Sequence, residues 1–65
     1  MNPLSEQQRE LLSQGHTVML WNHDELYALG DRLVHDGVRL TVVATGTPCI
    51  GGAVVQRVTV REVLV

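Results

Sequence analysis

The chain has 65 residues, of which 45% are hydrophobic and 18% are charged, and its formal net charge is −2 at pH 7. A chain of this length and composition is too apolar for a disordered protein and forms one small domain of marginal stability. The negative charge argues against general binding of polyanions unless the charges are segregated on the surface. We therefore expect a single domain over residues 1–65.

Membrane and export signals are absent from the sequence pattern. No unbroken apolar run is longer than that from Val18 to Trp21, which is far shorter than the roughly 20 residues that cross a bilayer. Residues 1–6 have neither a basic leader nor an apolar core, and the single Cys49 cannot form an internal disulfide. These features predict a cytoplasmic protein that makes no contact with membranes.

The first element is a short helix over residues 3–14, which Gly15 ends. Its cap is either Asn2, which precedes a proline, or Ser5, which has Gln8 three residues later. Three leucines share one face of this helix, and they are Leu4, Leu11 and Leu12. This apolar stripe is narrow, so the helix needs a sheet to pack against, or else it serves as a mobile arm.

Residues 16–21 are predicted to form the first strand. Val18 and Leu20 lie on one face of this strand, and Met19 and Trp21 lie on the other. Because both faces are apolar, we expect a cover on each side. The first helix or a second subunit would cover Met19 and Trp21.

A second and longer helix is predicted over residues 22–36. Asn22 has the position of a cap, Glu25 reaches back to it, and Gly37 follows as a left-handed stop. Four apolar residues follow at helical spacing, and they are Leu26, Leu29, Leu33 and Val34. We expect this amphipathic helix to pack on the sheet as its central support.

The last third of the chain predicts a hairpin of two strands, residues 38–45 and 53–64, around a glycine-rich turn. Its buried face consists of Val38, Leu40, Val42, Ala44, Val54, Val58 and Val60, and its other face consists of Arg39, Thr41, Arg57, Thr59 and Arg61.

For this hairpin we favour the register that sets Leu40 opposite Val58. The alternative, with Val60 in that position, would bring Arg39 against Arg61 and cost like-charge repulsion.

Together these elements predict an α+β domain with the order αβαββ. The three-stranded mixed sheet would have the order 1-3-2, because the last strand is the longest and the richest in β-branched residues. A 1-2-3 order is the main alternative. No internal repeat or low-complexity segment is visible.

No arrangement of residues specifies a chemical reaction. Cys49 follows a proline in the glycine-rich turn, but the sequence places no histidine near it as a base. The spacing of the three histidines, His16, His23 and His35, matches no familiar zinc site. We therefore expect no catalysis, no cofactor and no metal.

The partner-binding residues we predict are Met19, Trp21, Ile50, Arg39, Arg57, Thr59 and Arg61. Exposed apolar residues beside arginines favour a protein partner, including a second copy of the chain as a homodimer. By analogy of size and charge, a stoichiometric inhibitor or regulator of the kind encoded by phages or mobile elements fits this pattern.

The alternative is a nucleic-acid-binding dimer that uses Arg39, Arg57 and Arg61. We rank it second because neither aromatic residue, Trp21 or Tyr27, lies among the arginines in the predicted arrangement.

Overall fold

The computed structural model describes residues 2–23, 25–51 and 54–63, apart from the side chains of Ile50 and Val54. One helix and five strands occur in these residues: α1 (Glu6–Ser13), β1 (Val18–Asn22), β2 (Arg32–His35), β3 (Val38–Thr45), β4 (Cys49–Ile50) and β5 (Val54–Glu62). Four strands form one sheet in the order β1-β5-β3-β2, and every neighbouring pair is antiparallel. The two-residue β4 pairs with the start of β5.

The predicted αβαββ fold with a mixed three-stranded sheet on a central helix is wrong. Described residues between β1 and β3 contain no helix, and part of this region forms β2 instead. The sheet is antiparallel throughout and gains a fourth strand. The last strand, β5, does lie between β1 and β3, which is the place that the 1-3-2 order gave it. The residues predicted for its two ends, 53 and 64, lie outside the described part of the chain.

Tertiary hydrogen bonds hold the segment that follows β1 and replace the bonds of the predicted helix. Asn22 is fully buried at the end of β1, and its side-chain amide donates to the carbonyl of Glu25. Gln56, buried on β5, accepts from the Tyr27 N–H and donates to the Tyr27 carbonyl, both at 2.9 Å. The backbone at Tyr27 is thereby paired with a side chain and not with a helical turn.

A two-residue turn joins β2 to β3. Asp36 and Gly37 both have positive φ, at 52° and 78°, as a type I′ hairpin turn requires. Leu33 and Leu40 are cross-strand neighbours in this hairpin, and Leu33 packs against the core. The other three residues of the predicted helical stripe are exposed to solvent: Leu26, Leu29 and Val34.

The helix α1 is shorter than predicted and is capped by Ser5. The Ser5 hydroxyl accepts from the Gln8 N–H at 3.1 Å, and the Gln8 side chain accepts from the Ser5 N–H at 2.9 Å. Of the two predicted caps, Ser5 is therefore correct and Asn2 is not. Gly15 follows the helix with φ 85°. Within the described residues, no helix has the length and apolar character needed to cross a membrane.

The hydrophobic core lies between α1 and one side of the sheet, which we call the inner face. This face includes Val18, Leu20, Asn22, Leu33, Val38, Leu40, Val42, Gln56, Val58 and Val60, of which Leu33 and Val38 are only partly buried. Leu4 and Leu12 from the amino-terminal region pack against it, and Leu12 is fully buried. Most of the apolar burial of the described chain is therefore on one side of the sheet.

Both predicted hairpin registers are wrong. Leu40 lies opposite Glu62, and Val42 lies opposite Val60. A β-bulge at Val43 shifts the pairing, so that Ala44 lies opposite an outward-facing threonine and is exposed, not buried as predicted. Four residues of the predicted buried face, Leu40, Val42, Val58 and Val60, are buried.

The amino-terminal segment is attached to the β2–β3 turn through Asp36. Its carboxylate accepts from the Leu4 N–H at 3.1 Å and forms an ion pair with Arg9 at 2.7 Å. Arg9 also donates to the Asp36 carbonyl, and a ring nitrogen of His35 lies 2.7 Å from the Asn2 carbonyl. The hydrogen bond from Arg9, followed by that from Leu4, lowers the pKa of Asp36 below its ordinary value.

Candidate binding face

The side of the sheet opposite the core, which we call the outer face, comprises Met19, Trp21, Arg32, Val34, Arg39, Thr41, Ala44, Arg57, Thr59 and Arg61. Its arginines are exposed, as are 53% of Met19 and 57% of Trp21. Pro3 and Gln8 border a small depression beside these two residues but leave both more than half exposed. Because α1 packs on the inner face, it is not the cover predicted for Met19 and Trp21.

One row of cross-strand neighbours places two arginines on either side of a threonine. Thr41 on β3 lies between Arg32 on β2 and Arg61 on β5. Since neighbouring strands are about 4.8 Å apart, the two arginine backbones are separated by about 10 Å. The three residues line a shallow depression at the end of the sheet, which Glu62 also borders. Such a row offers two guanidinium groups and a hydroxyl to one anionic chain.

A second row places the tryptophan beside an arginine. Trp21 on β1 is the cross-strand neighbour of Arg57 on β5. On the side of Arg57 away from Trp21, Gly46 donates its N–H to the Arg57 carbonyl at 2.8 Å. A Cβ atom on Gly46 would lie 3.4 Å from Arg57 Cβ and 3.5 Å from its Nε, so this glycine leaves room for the arginine side chain. The expectation that no aromatic residue lies among the arginines is therefore wrong.

The remaining residues of the outer face lie between these two rows or beyond the first of them. Thr59 lies between Met19 and Ala44, and it is half-buried, as is Thr41 in the first row. Beyond the Arg32–Thr41–Arg61 row, at the same end of the sheet, Val34 and Arg39 are cross-strand neighbours, and 70% of Val34 is exposed. The outer face thus mixes cations, hydroxyls and apolar side chains.

Charge is segregated between the two sides of the molecule. Four of the five arginines lie on the outer face, and the ten residues of that face include no carboxylate. The fifth, Arg9, lies in α1 with Glu6 and Glu10. Glu62 borders the depression that the Arg32–Thr41–Arg61 row lines. The net charge of −2 therefore conceals a basic surface.

The structure brings six of the seven predicted partner-binding residues onto one face. They are Met19, Trp21, Arg39, Arg57, Thr59 and Arg61. Ile50 lies in β4, and its side chain is outside the described part of the structure. Sequence reasoning missed Arg32, because the predicted helix removed it from the sheet.

From the sequence we considered cysteine and histidine as candidates for catalysis or metal binding and predicted neither role for them. Cys49 is a free, exposed thiol in β4. No group of three histidine, cysteine or acidic side chains within the described ranges is placed to hold a metal ion.

No protein-family model matches the chain, and comparisons with curated proteins and with solved structures give no match.

Proposed function

We propose that this protein binds nucleic acid through its outer face and acts by binding, without catalysis. The observation that carries the proposal is the placement of four arginines and an exposed tryptophan on one sheet face, with no carboxylate among the residues described for that face. A surface of this kind attracts polyanions even on a molecule whose net charge is negative.

The chemistry of the face matches the parts of a nucleotide. Guanidinium groups bind phosphates through two parallel hydrogen bonds and also stack on bases. Half-buried Thr41 and Thr59 offer hydroxyl groups between the arginines, and hydroxyls of this kind commonly contact phosphate oxygens. Trp21 adds an aromatic surface next to Arg57. The position of Trp21 beside Arg57 removes one of the reasons for which we ranked nucleic acid second on sequence alone.

The proposal is tested by fluorescence anisotropy of a labelled oligonucleotide over a series of salt concentrations. Replacing both arginines of β5 (Arg57→Gln with Arg61→Gln) should weaken binding. It should also make the fall of the log binding constant with log salt concentration less steep, by about 0.7 for each phosphate that the protein no longer neutralises.

Arg9→Gln is the matched control, since it removes the same type of charge from α1. The proposal fails if the double variant binds like the wild type, or if Arg9→Gln weakens binding equally. Circular dichroism of each variant separates a failure to bind from a failure to fold.

A protein partner is the second candidate, and it is favoured by the apolar side chains of the outer face. Met19, Trp21 and Val34 are each more than half exposed, and apolar residues beside arginines are typical of protein interfaces. An inhibitor or regulator, or a second copy of this chain, would use the same face.

Affinity capture after nuclease treatment tests this candidate. One protein recovered in near-stoichiometric amount by the wild type, and not recovered by Val34→Asp, would favour it over nucleic acid. If the captured proteins are lost on nuclease treatment, a direct protein partner is excluded.

A further inference from the structure

We infer that the outer face binds single strands in preference to duplexes, with a base stacked on Trp21 and the sugar-phosphate chain crossing the Arg32–Thr41–Arg61 row. This inference rests on the proposed function and specifies its ligand. It divides the outer face into a stacking end at Trp21 and a phosphate end at the Arg32–Thr41–Arg61 row.

The shape of the face disfavours a duplex. Four strands about 4.8 Å apart span about 14 Å between the edge strands, which exceeds the major-groove width of about 12 Å. Within the described residues, no helix or protruding hairpin rises from the outer face to enter a groove. A duplex would therefore contact this face only through its backbone, whereas the unstacked bases of a single strand can lie flat on a sheet.

Trp21 is placed to stack on such a base. More than half of its surface is exposed, and it lies on the edge strand β1, where no further strand of the sheet crowds it. The side chain of its neighbour Arg57 extends over Gly46 on the opposite side. This arrangement leaves an aromatic surface open while a cation remains beside it for the adjoining phosphate.

The phosphate end lies four residues farther along β5. Arg57 and Arg61 are separated by about 13 Å along the strand, and the row through Arg61 continues across Thr41 to Arg32. A mononucleotide is too short to contact both ends. The matching ligand is an extended oligonucleotide, whose bases point to one side while its phosphates follow the arginines.

Trp21 is the only tryptophan in the chain, so its fluorescence reports on the stacking end alone. We would titrate the wild-type protein with oligothymidylate, with the same strand annealed to oligoadenylate, and with inorganic polyphosphate as a polyanion without bases. The single strand should bind most tightly and quench Trp21. Polyphosphate should bind more weakly, without comparable quenching.

Variants read by anisotropy of labelled oligothymidylate complete the test. Trp21→Leu should bind about 5- to 150-fold more weakly, and Trp21→Phe should restore much of this affinity, because base stacking needs an aromatic ring. Leu29→Ala, which removes an exposed apolar side chain outside the outer face, is the control and should bind like the wild type.

The outcomes separate this inference from the proposed function. Equal affinity for duplex and single strand, or a Trp21→Leu variant that binds like the wild type, would overturn the inference while leaving nucleic-acid binding through the arginines intact. If neither the single strand nor the duplex binds, the proposed function and the inference both fall.

Discussion

At the scale of single residues, Asp36 is the point at which the amino-terminal segment is attached to the sheet. One carboxylate accepts a backbone N–H from Leu4 and pairs with Arg9, and both interactions favour its ionised form. Both interactions also link positions that are far apart in sequence. The charge state of this side chain therefore affects how firmly α1 is held.

Asp36 should make stability depend on pH in acid. Its folded-state pKa is lowered, so its stabilising contribution is complete above the ordinary aspartate pKa of about 3.9 and disappears as pH falls through the lowered value. Asp36→Asn should reduce the free energy of unfolding at pH 7 and remove this part of the acid dependence. An asparagine still tolerates the positive φ of the turn.

Urea unfolding of both proteins at neutral pH and at pH values below about 4 measures this effect. The difference in free energy between wild type and Asp36→Asn should narrow as pH falls. Glu10→Gln, which removes an exposed carboxylate of α1, is the control. A gap between wild type and Asp36→Asn that stayed constant with pH would show that ionisation of Asp36 does not stabilise the fold.

At the scale of elements, the region between β1 and β3 shows where sequence reasoning failed. The apolar spacing from Leu26 to Val34 has a helical period, and Asn22 and Glu25 resemble a cap. The stronger signal was the dipeptide Asp36-Gly37 between two apolar segments, which is typical of a two-residue hairpin. Helical periodicity in a short segment carries less weight than a turn of this kind.

Other elements could be predicted from the sequence. The helix cap at Ser5 and the β3 strand follow from local patterns, and alternation placed Arg57 and Arg61 on a face opposite the core. The register was not predicted: Leu40 lies opposite Glu62, and the bulge at Val43, which no residue pattern marks, shifts the pairing by one further residue. Arg32 could be added to the binding face only after β2 was known.

The β2–β3 turn gives a prediction about this element. Gly37 has φ 78°, and a side chain in this left-handed region costs about 1–2 kcal/mol. Gly37→Ala should lower the free energy of unfolding by about this amount, as urea denaturation would show. Gly51→Ala is the matched control, since Gly51 has ordinary φ and no atom within 4 Å of an added Cβ. Equal effects of the two substitutions would contradict the assigned turn.

At the scale of the whole molecule, the core and the proposed binding surface lie on opposite sides of one sheet. The inner face packs against α1 and supplies most of the buried apolar residues, whereas the outer face holds the exposed arginines and Trp21. A small domain is only marginally stable. This separation allows the residues of the outer face to stay exposed without weakening the core.

This separation predicts different consequences for two apolar truncations. Leu12 joins α1 to the core and is fully buried, so Leu12→Ala should cost about 2–5 kcal/mol in free energy of unfolding. Met19 is 53% exposed on the outer face, so Met19→Ala should cost less than about 1 kcal/mol. Urea denaturation at several protein concentrations measures the loss of unfolding free energy in each variant. A second copy covers the outer face if Met19→Ala costs as much as Leu12→Ala and the urea midpoint of the wild type rises with protein concentration.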